Sequence, residues 1–228
     1  MEKRYLLLQK ALQEGRRTLS EYESKDFLKS YGIPVTRETL VHSQEECLNA
    51  AHAIGYPVVL KGCSPRIVHK TEKDMVKVDI RNEQEAIQTF TDITSRMEGD
   101  EKAVLVQQMI KGPRELVIGM TRDPQFGPCV MFGLGGIFTE ILKDIVFRVA
   151  PLEKTDALAM TMEIKAHKIL GALRGMPAAD MDILCDILIR VGKIGIENER
   201  IKEIDINPVI LSGAEPVAAD ALIVLTPD

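Results

Sequence analysis

The tightest constraint in this sequence is a two-residue turn near its C-terminal end. Gly213-Ala214 separates Ile201–Leu211 from a nearly all-apolar run, Val217–Leu225. Glycine in the first central position suits a type II′ turn, whose twist matches that of paired antiparallel strands. With this turn, residues whose numbers sum to 427 face one another, so Asn207 lies directly across from Asp220, Cβ atoms about 5 Å apart. Glu203, Asp205 and Asn207 stand at every second position and share one face of the strand. Pro208 holds Asn207 extended. Oxygen-bearing side chains gathered on one patch of sheet suit a hard cation such as Mg²⁺ bridging nucleotide phosphates. A solvated strand face would also tolerate the triplet. Asp220, however, stands among Ala218, Ala219, Ala221, Leu222 and Ile223, where an unpaired acid is costly.

Upstream, helix and strand signals alternate. Ser20-Glu21-Tyr22-Glu23 and Ser43-Gln44-Glu45-Glu46 are capping boxes opening helices that stop at Gly32 and Gly55, and Asn82 caps a third to about Met97. Val58–Leu60 and Ala103–Val106 read as buried strands, Val76–Ile80 as a further strand. Beyond residue 110 strands predominate: Glu115–Met120, Pro128–Phe132 and Ile145–Val149, then helical patterns over about 154–173 and 177–196. Strands and helices do not alternate strictly, so the expectation is an α+β fold of two lobes. Residues 1–18 form a helical extension, 19–110 the first lobe and 111–228 the second.

Composition excludes several classes. With 228 residues and 45% hydrophobic content there is material for a core, yet no apolar run long enough for a membrane span. The opening Met1-Glu2-Lys3-Arg4-Tyr5 and a short leucine run do not make a secretory signal. The four cysteines are scattered without a CxxC pair, which points to a reducing cytoplasm. A net charge of −5, 4% aromatics and no tryptophan argue against nucleic-acid binding. A bound anion must therefore be held locally.

Such local sites exist. Lys61 ends an apolar strand, where an ammonium can meet phosphate as a point charge. Ser64-Pro65-Arg66-Ile67-Val68-His69-Lys70-Thr71 concentrates cations and hydroxyls, and His69 could act as a nucleophile towards phosphorus if its ring is oriented. Gln107-Gln108-Met109-Ile110 ends a strand at the lobe junction, where backbone could read an adenine edge and Glu115 bind ribose hydroxyls. Gly133-Leu134-Gly135-Gly136 can present N–H groups to an anion, though it has neither P-loop nor dinucleotide-fold spacing. Glu140, Asp144 and Arg148 follow at four-residue intervals.

Taken in order and spacing, these motifs resemble the ATP-grasp subunit of NDP-forming acyl-CoA synthetases, specifically the beta subunit of ADP-forming acetate–CoA ligase. The resemblance runs from about Leu19 to Leu225 and rests on Pro57–Lys61, Ser64-Pro65 with His69-Lys70-Thr71, Gly133–Ile137 with Glu140, Asp144 with Arg148 and Pro151, and Glu203–Pro208 with Asp220. It implies an ATP-grasp fold, two α+β lobes clamping ATP or ADP with Mg²⁺. It implies ligase chemistry, in which ATP, a carboxylate and CoA give acyl-CoA, ADP and phosphate through a phosphohistidine on a CoA-binding alpha subunit, in a cytoplasmic hetero-oligomer. By residue, it implies nucleotide contacts from Lys61, Val68, Lys70, Gln108, Met109, Ile110 and Glu115, and a phosphate loop at Gly135 and Gly136. Asn207, Asp220 and Asp205 would hold the metal, and His69, Glu140 and Arg148 would serve catalysis, His69 relaying phosphate. One departure stands out: relatives carry one or two glycines shortly after the His-Lys pair, and Thr71–Val76 has none. That leaves a second class open, a non-catalytic ATP- or ADP-binding module.

Overall fold

A computed structural model of the chain describes residues 2–64, 75–97, 99, 102–136 and 144–226. It divides into two compact units, a larger one of Met1–Leu19, Glu23–Val35 and Lys111–Asp228 and a smaller one of Ser20–Tyr22 and Thr36–Ile110.

The smaller unit is an antiparallel four-stranded sheet with two helices. Its strands are β1 (Glu38–Val41), β2 (Val58–Gly62), β3 (Val76–Ile80) and β4 (Val104–Gln108), in the order β1-β4-β2-β3. Counting helix α1 (Glu2–Gln13) and helix α2 (Glu21–Ser30) ahead of them, its helices are α3 (Gln44–Ile54) and α4 (Glu83–Arg96). Both begin where the caps require. The Ser43 side chain accepts from the Glu46 N–H, and that of Asn82 from the Glu85 N–H. α3 ends at Gly55, whose φ of +93° lies where glycine is favoured. Cys47, Ala50 and Ala51 of α3 and Ala86, Phe90 and Ile93 of α4 bury against Val58, Leu60, Val104 and Val106. All of β2 is buried, Lys61 included.

The larger unit is built on an antiparallel sheet of β5 (Glu115–Asp123), β6 (Gly127–Leu134), β7 (Ile145–Val149), β8 (Ile201–Ser212), β9 (Glu215–Ala218) and β10 (Leu222–Leu225). The strand order is β10-β8-β5-β6-β7, with β9 also paired to β8. Helices α5 (Lys154–Glu163) and α6 (Met181–Glu197) belong to this unit. α6 buries Leu184, Cys185, Leu188, Val191 and Ile194, an amphipathic stripe at helical spacing. It lies so close to the sheet that a Cβ on Gly195 would stand 2.7 Å from Pro128 Cβ.

Two expectations change. Residues 23–35, expected in the first lobe, pack in the larger unit, as do Leu8 and Ala11 of the N-terminal extension. The cause is burial: Phe27 and Leu28 of α2 join the larger core, and the Ala218 N–H donates to Pro34 O at 2.9 Å. The helical pattern over 154–173 breaks after Glu163. There the Asp144 carboxylate takes the N–H groups of Lys165 and Ala166, both at 2.8 Å, drawing them from the helical ladder, and only a short 3₁₀ turn at His167–Leu170 follows.

Candidate functional site

The C-terminal hairpin has the register expected from its turn. Ser212 pairs with Glu215, Ile210 with Val217 and Val209 with Ala218. Beyond a gap in the ladder, Asp205 pairs with Leu222 and Glu203 with Val224 in the same register. Gly213 has φ +63° and Ala214 does not have a positive φ, the pattern of a type II′ turn. Asn207 and Asp220 thus occupy opposed positions in the gap, where the Ala219 N–H still donates to Pro208 O at 3.0 Å.

The other edge of β8 adds a feature the sequence did not announce. Against β5, Val209 pairs with Leu116 but Ile206 pairs with Ile118, so Asn207 and Pro208 together oppose Val117 alone. This is a β-bulge, a device that re-aims side chains beside functional sites. Before it, Ile204 and Ile206 face the core; after it, Val209 and Leu211 do. Asp205 and Asn207 are left on the opposite face.

Burial first, then Glu203 and Asp220, push the Asp205 carboxyl up to about 6. Among the described residues no three His, Cys, Asp or Glu side chains form a ready metal cage. The set here is two carboxylates and an amide, and that fits Mg²⁺, which binds through one or two carboxylates and completes its shell with water and phosphate. A cation would also relieve the repulsion that raises Asp205.

Glu115, Val117, Gly119 and Thr121 alternate on the same face as Asp205, which is opposite Gly119. Gly135 and Gly136 fold onto Glu115. The Gly135 N–H donates to Glu115 O at 2.8 Å, and a Cβ on Gly136 would stand 2.7 Å from Glu115 Oε2. The structure therefore brings Glu115 and the two glycines together, on the sheet that carries the acidic pair.

Arg148 is not brought to that face. It pairs with Val130, which packs under Gly192 of α6, and its guanidinium donates to Glu163 of α5. Asp205, Gly119, Met131 and Phe147 form the adjacent row, pointing the other way. Arg148 thus ties β7 to α5 instead of meeting Asp205.

In the smaller unit Lys61 Nζ donates to Glu21 Oε1 at 2.7 Å, with both side chains at most 7% exposed. Gln108 is tied to Arg37 twice: its N–H donates to Arg37 O at 2.8 Å, and its Oε1 accepts from Arg37 Nε at 3.2 Å. Met109 and Ile110 are half-buried. Val68, His69, Lys70 and Glu140 lie outside the described residues.

The Glu21 partnership was hidden in the sequence by its reading as a capping-box residue. The signal was nevertheless present. Glu21, Ser24, Lys25 and Leu28 fall at i, i+3, i+4 and i+7, so three polar residues share the face of a core leucine. All four are at most 2% exposed.

This combination defines a class: an α+β fold of two units, with a buried lysine in one and a bulged, acid-bearing hairpin in the other. The ATP-grasp domain family matches residues 10–225. The beta subunit of ADP-forming acetate–CoA ligase I of Pyrococcus furiosus is 45% identical over 224 residues, 96% of each chain. A solved structure of Ca. Korarchaeum cryptofilum dinucleotide forming acetyl-coenzyme A synthetase 1, in complex with coenzyme A, Ca-AMPCP and HgCl⁺, superposes with a TM-score of 0.92 at 47% identity, covering 96% of this chain and 98% of that one. The same enzyme with coenzyme A and Mg-AMPPCP, its phosphohistidine segment pointing towards the nucleotide binding site, gives 0.86 at 46% identity over 98% of this chain and all (100%) of that one. The chain belongs to the ATP-grasp family of ADP-forming acetate–CoA ligase beta subunits.

Proposed function

We propose that this chain is the nucleotide-binding subunit of an ADP-forming acyl-CoA synthetase, converting ATP, a carboxylate and CoA to acyl-CoA, ADP and phosphate with a CoA-binding partner subunit. The observation that carries the reading is the opposed Asn207 and Asp220 pair, held in one continuous register beside a bulge that aims Asp205 to the same side. Its support is the 45% identity to a beta subunit over 96% of the chain.

In this reading Lys61 holds nucleotide phosphate, oriented by Glu21. Glu115 receives ribose hydroxyls, and Gly135 and Gly136, which carry no side chain, approach the phosphoryl group through backbone. Val68, Lys70 and Gln108–Ile110 complete the nucleotide contacts. Asp205, Asn207 and Asp220 hold Mg²⁺, which when bound neutralises phosphate charge. Catalysis is then mainly alignment and charge neutralisation. The phosphoryl group leaves ADP and passes to a histidine of the partner, forming phosphohistidine, with His69 as relay and Glu140 as a further catalytic residue. Among the described residues no helix is long and apolar enough to cross a membrane, and Cys47, Cys63, Cys129 and Cys185 are all free thiols, which supports work in the cytoplasm.

Calorimetry of ATP binding with and without Mg²⁺ tests the site. The expected result is Mg²⁺-dependent affinity that falls at least tenfold in Asp220→Ala. Equal affinity in both proteins would overturn the metal assignment.

A further inference from the structure

The rung of the ladder next to the Asn207 and Asp220 pair is chemically incomplete. Two-residue hairpins alternate between pairs that exchange two backbone hydrogen bonds and pairs that exchange none. Counting from Ser212 and Glu215, Pro208 and Ala219 form an exchanging pair, and the first bond is present, from the Ala219 N–H to Pro208 O at 3.0 Å. The return bond cannot form, because proline has no N–H. Lys25 Nζ stands at that carbonyl instead, 3.4 Å from Ala219 O.

The lysine is brought there at evident cost. It is 0% exposed, and burying an ammonium is unfavourable unless the fold gives it partners. Its neighbour on α2 supports the same segment: Ser24 Oγ accepts the Ile223 N–H at 3.2 Å, and the Leu19 N–H donates to Ile223 O at 3.0 Å. The backbone on both sides of Asp220 is therefore fixed from α2 and the residues leading into it, across the stretch where β9 and β10 are interrupted.

We propose that Lys25 is a positioning residue for the metal pair: its ammonium replaces the backbone donor that Pro208 lacks and so sets the Asp220 carboxylate opposite Asn207. Lys25 need not touch the cation. It acts through the Ala219 carbonyl, one residue before the ligand. This rests on the reading of Asp205, Asn207 and Asp220 as the Mg²⁺ ligands.

The test is Mn²⁺ affinity in the presence of ADP, read by electron paramagnetic resonance on the purified full chain, for wild type and for Lys25→Met, Lys25→Gln and Lys25→Arg. The methionine keeps the apolar stem and removes the donor. The expected result is a Mn²⁺ affinity at least tenfold weaker in Lys25→Met, with ADP affinity in EDTA within threefold of wild type. Lys25→Arg, which restores a cationic donor, should recover most of the loss. A folded Lys25→Met with wild-type Mn²⁺ affinity would overturn the proposal, and so would equal losses with and without metal. Should the methionine variant not fold, the glutamine and arginine variants decide: metal affinity must rank wild type, arginine, glutamine, and wild-type affinity in glutamine contradicts the inference. Wild type that binds no Mn²⁺ with ADP would instead overturn the metal site itself.

Discussion

Lys61 and Glu21 form a buried ion pair, Nζ to Oε1 at 2.7 Å, in which a strand lysine is fixed by the first turn of a helix 40 residues earlier. A buried pair is costly to break from one side, about 3–5 kcal/mol, because the surviving charge stays desolvated. Glu21→Gln and Lys61→Met should each lower the urea midpoint strongly, and the double variant Glu21→Gln/Lys61→Met should be less destabilised than the sum of the two. Additive losses would show that the pair is not coupled. Lys61→Met should also lose ATP affinity at least tenfold.

Asp205 gives a pH signature. Its folded value of about 6 lies above the 3.8 of the free group. The folded state therefore binds the extra proton between those values, and the stability this brings is complete below about 3.8 and lost as pH rises through about 6. In EDTA, Asp205→Asn should gain on wild type by roughly 2–3 kcal/mol between pH 4 and pH 7.5, the free-energy equivalent of the shift. Urea unfolding at those two pH values reads it. A gap that widens on acidification would contradict the sign.

The two glycines at Glu115 should behave differently. A Cβ on Gly135 would lie 2.8 Å from three backbone atoms, Glu115 C, Leu116 C and Leu116 N, none of which can swing aside. Gly135→Ala should cost about 2–4 kcal/mol, at or above the usual range for overpacking. At Gly136 the obstacle is the Glu115 carboxylate, which can rotate, together with a φ of +67°, a strain of about 1 kcal/mol for alanine. Gly136→Ala should fold, with a small loss of melting temperature and an ATP affinity lowered severalfold through the displaced carboxylate. Thermal melts and ATP titrations separate the two.

Arg114 holds the hairpin from behind. Its guanidinium donates to Ile169 O, Gly171 O, Pro177 O and Gly213 O at 2.7–3.3 Å, with the side chain 2% exposed. Arg114→Met deprives four part-buried carbonyls of this donor, at about 1–3 kcal/mol for each one that neither water nor another group then satisfies. The expected outcome is the largest drop in melting temperature among these variants. A change below 3 °C would show that the carbonyls are satisfied otherwise.

Legibility in the sequence followed the range of the interaction. The hairpin register could be read because Gly213-Ala214 alone sets it. The caps at Ser43 and Asn82 could be read because each partner is three residues away. The bulge at Asn207 and Pro208 depends on pairing with Val117, some ninety residues earlier, and nothing local encodes it. The early end of α5 depends on Asp144, which lies in sequence before β7. Lys25 and Glu21 are legible only through their shared helical spacing with Leu28, because their partners lie far along the chain.

The central claim is tested most directly by ligase turnover of the purified chain, alone and mixed with the proposed CoA-binding partner subunit. Formation of ADP and acyl-CoA from ATP, acetate and CoA is the readout. The account predicts no turnover by the chain alone, turnover in the mixture, and its loss in His69→Ala with ATP affinity kept within a few-fold. Full turnover by the isolated chain would contradict it. So would normal Mg·ATP binding with no phosphate transfer beside an active partner, the behaviour of a non-catalytic nucleotide-binding module.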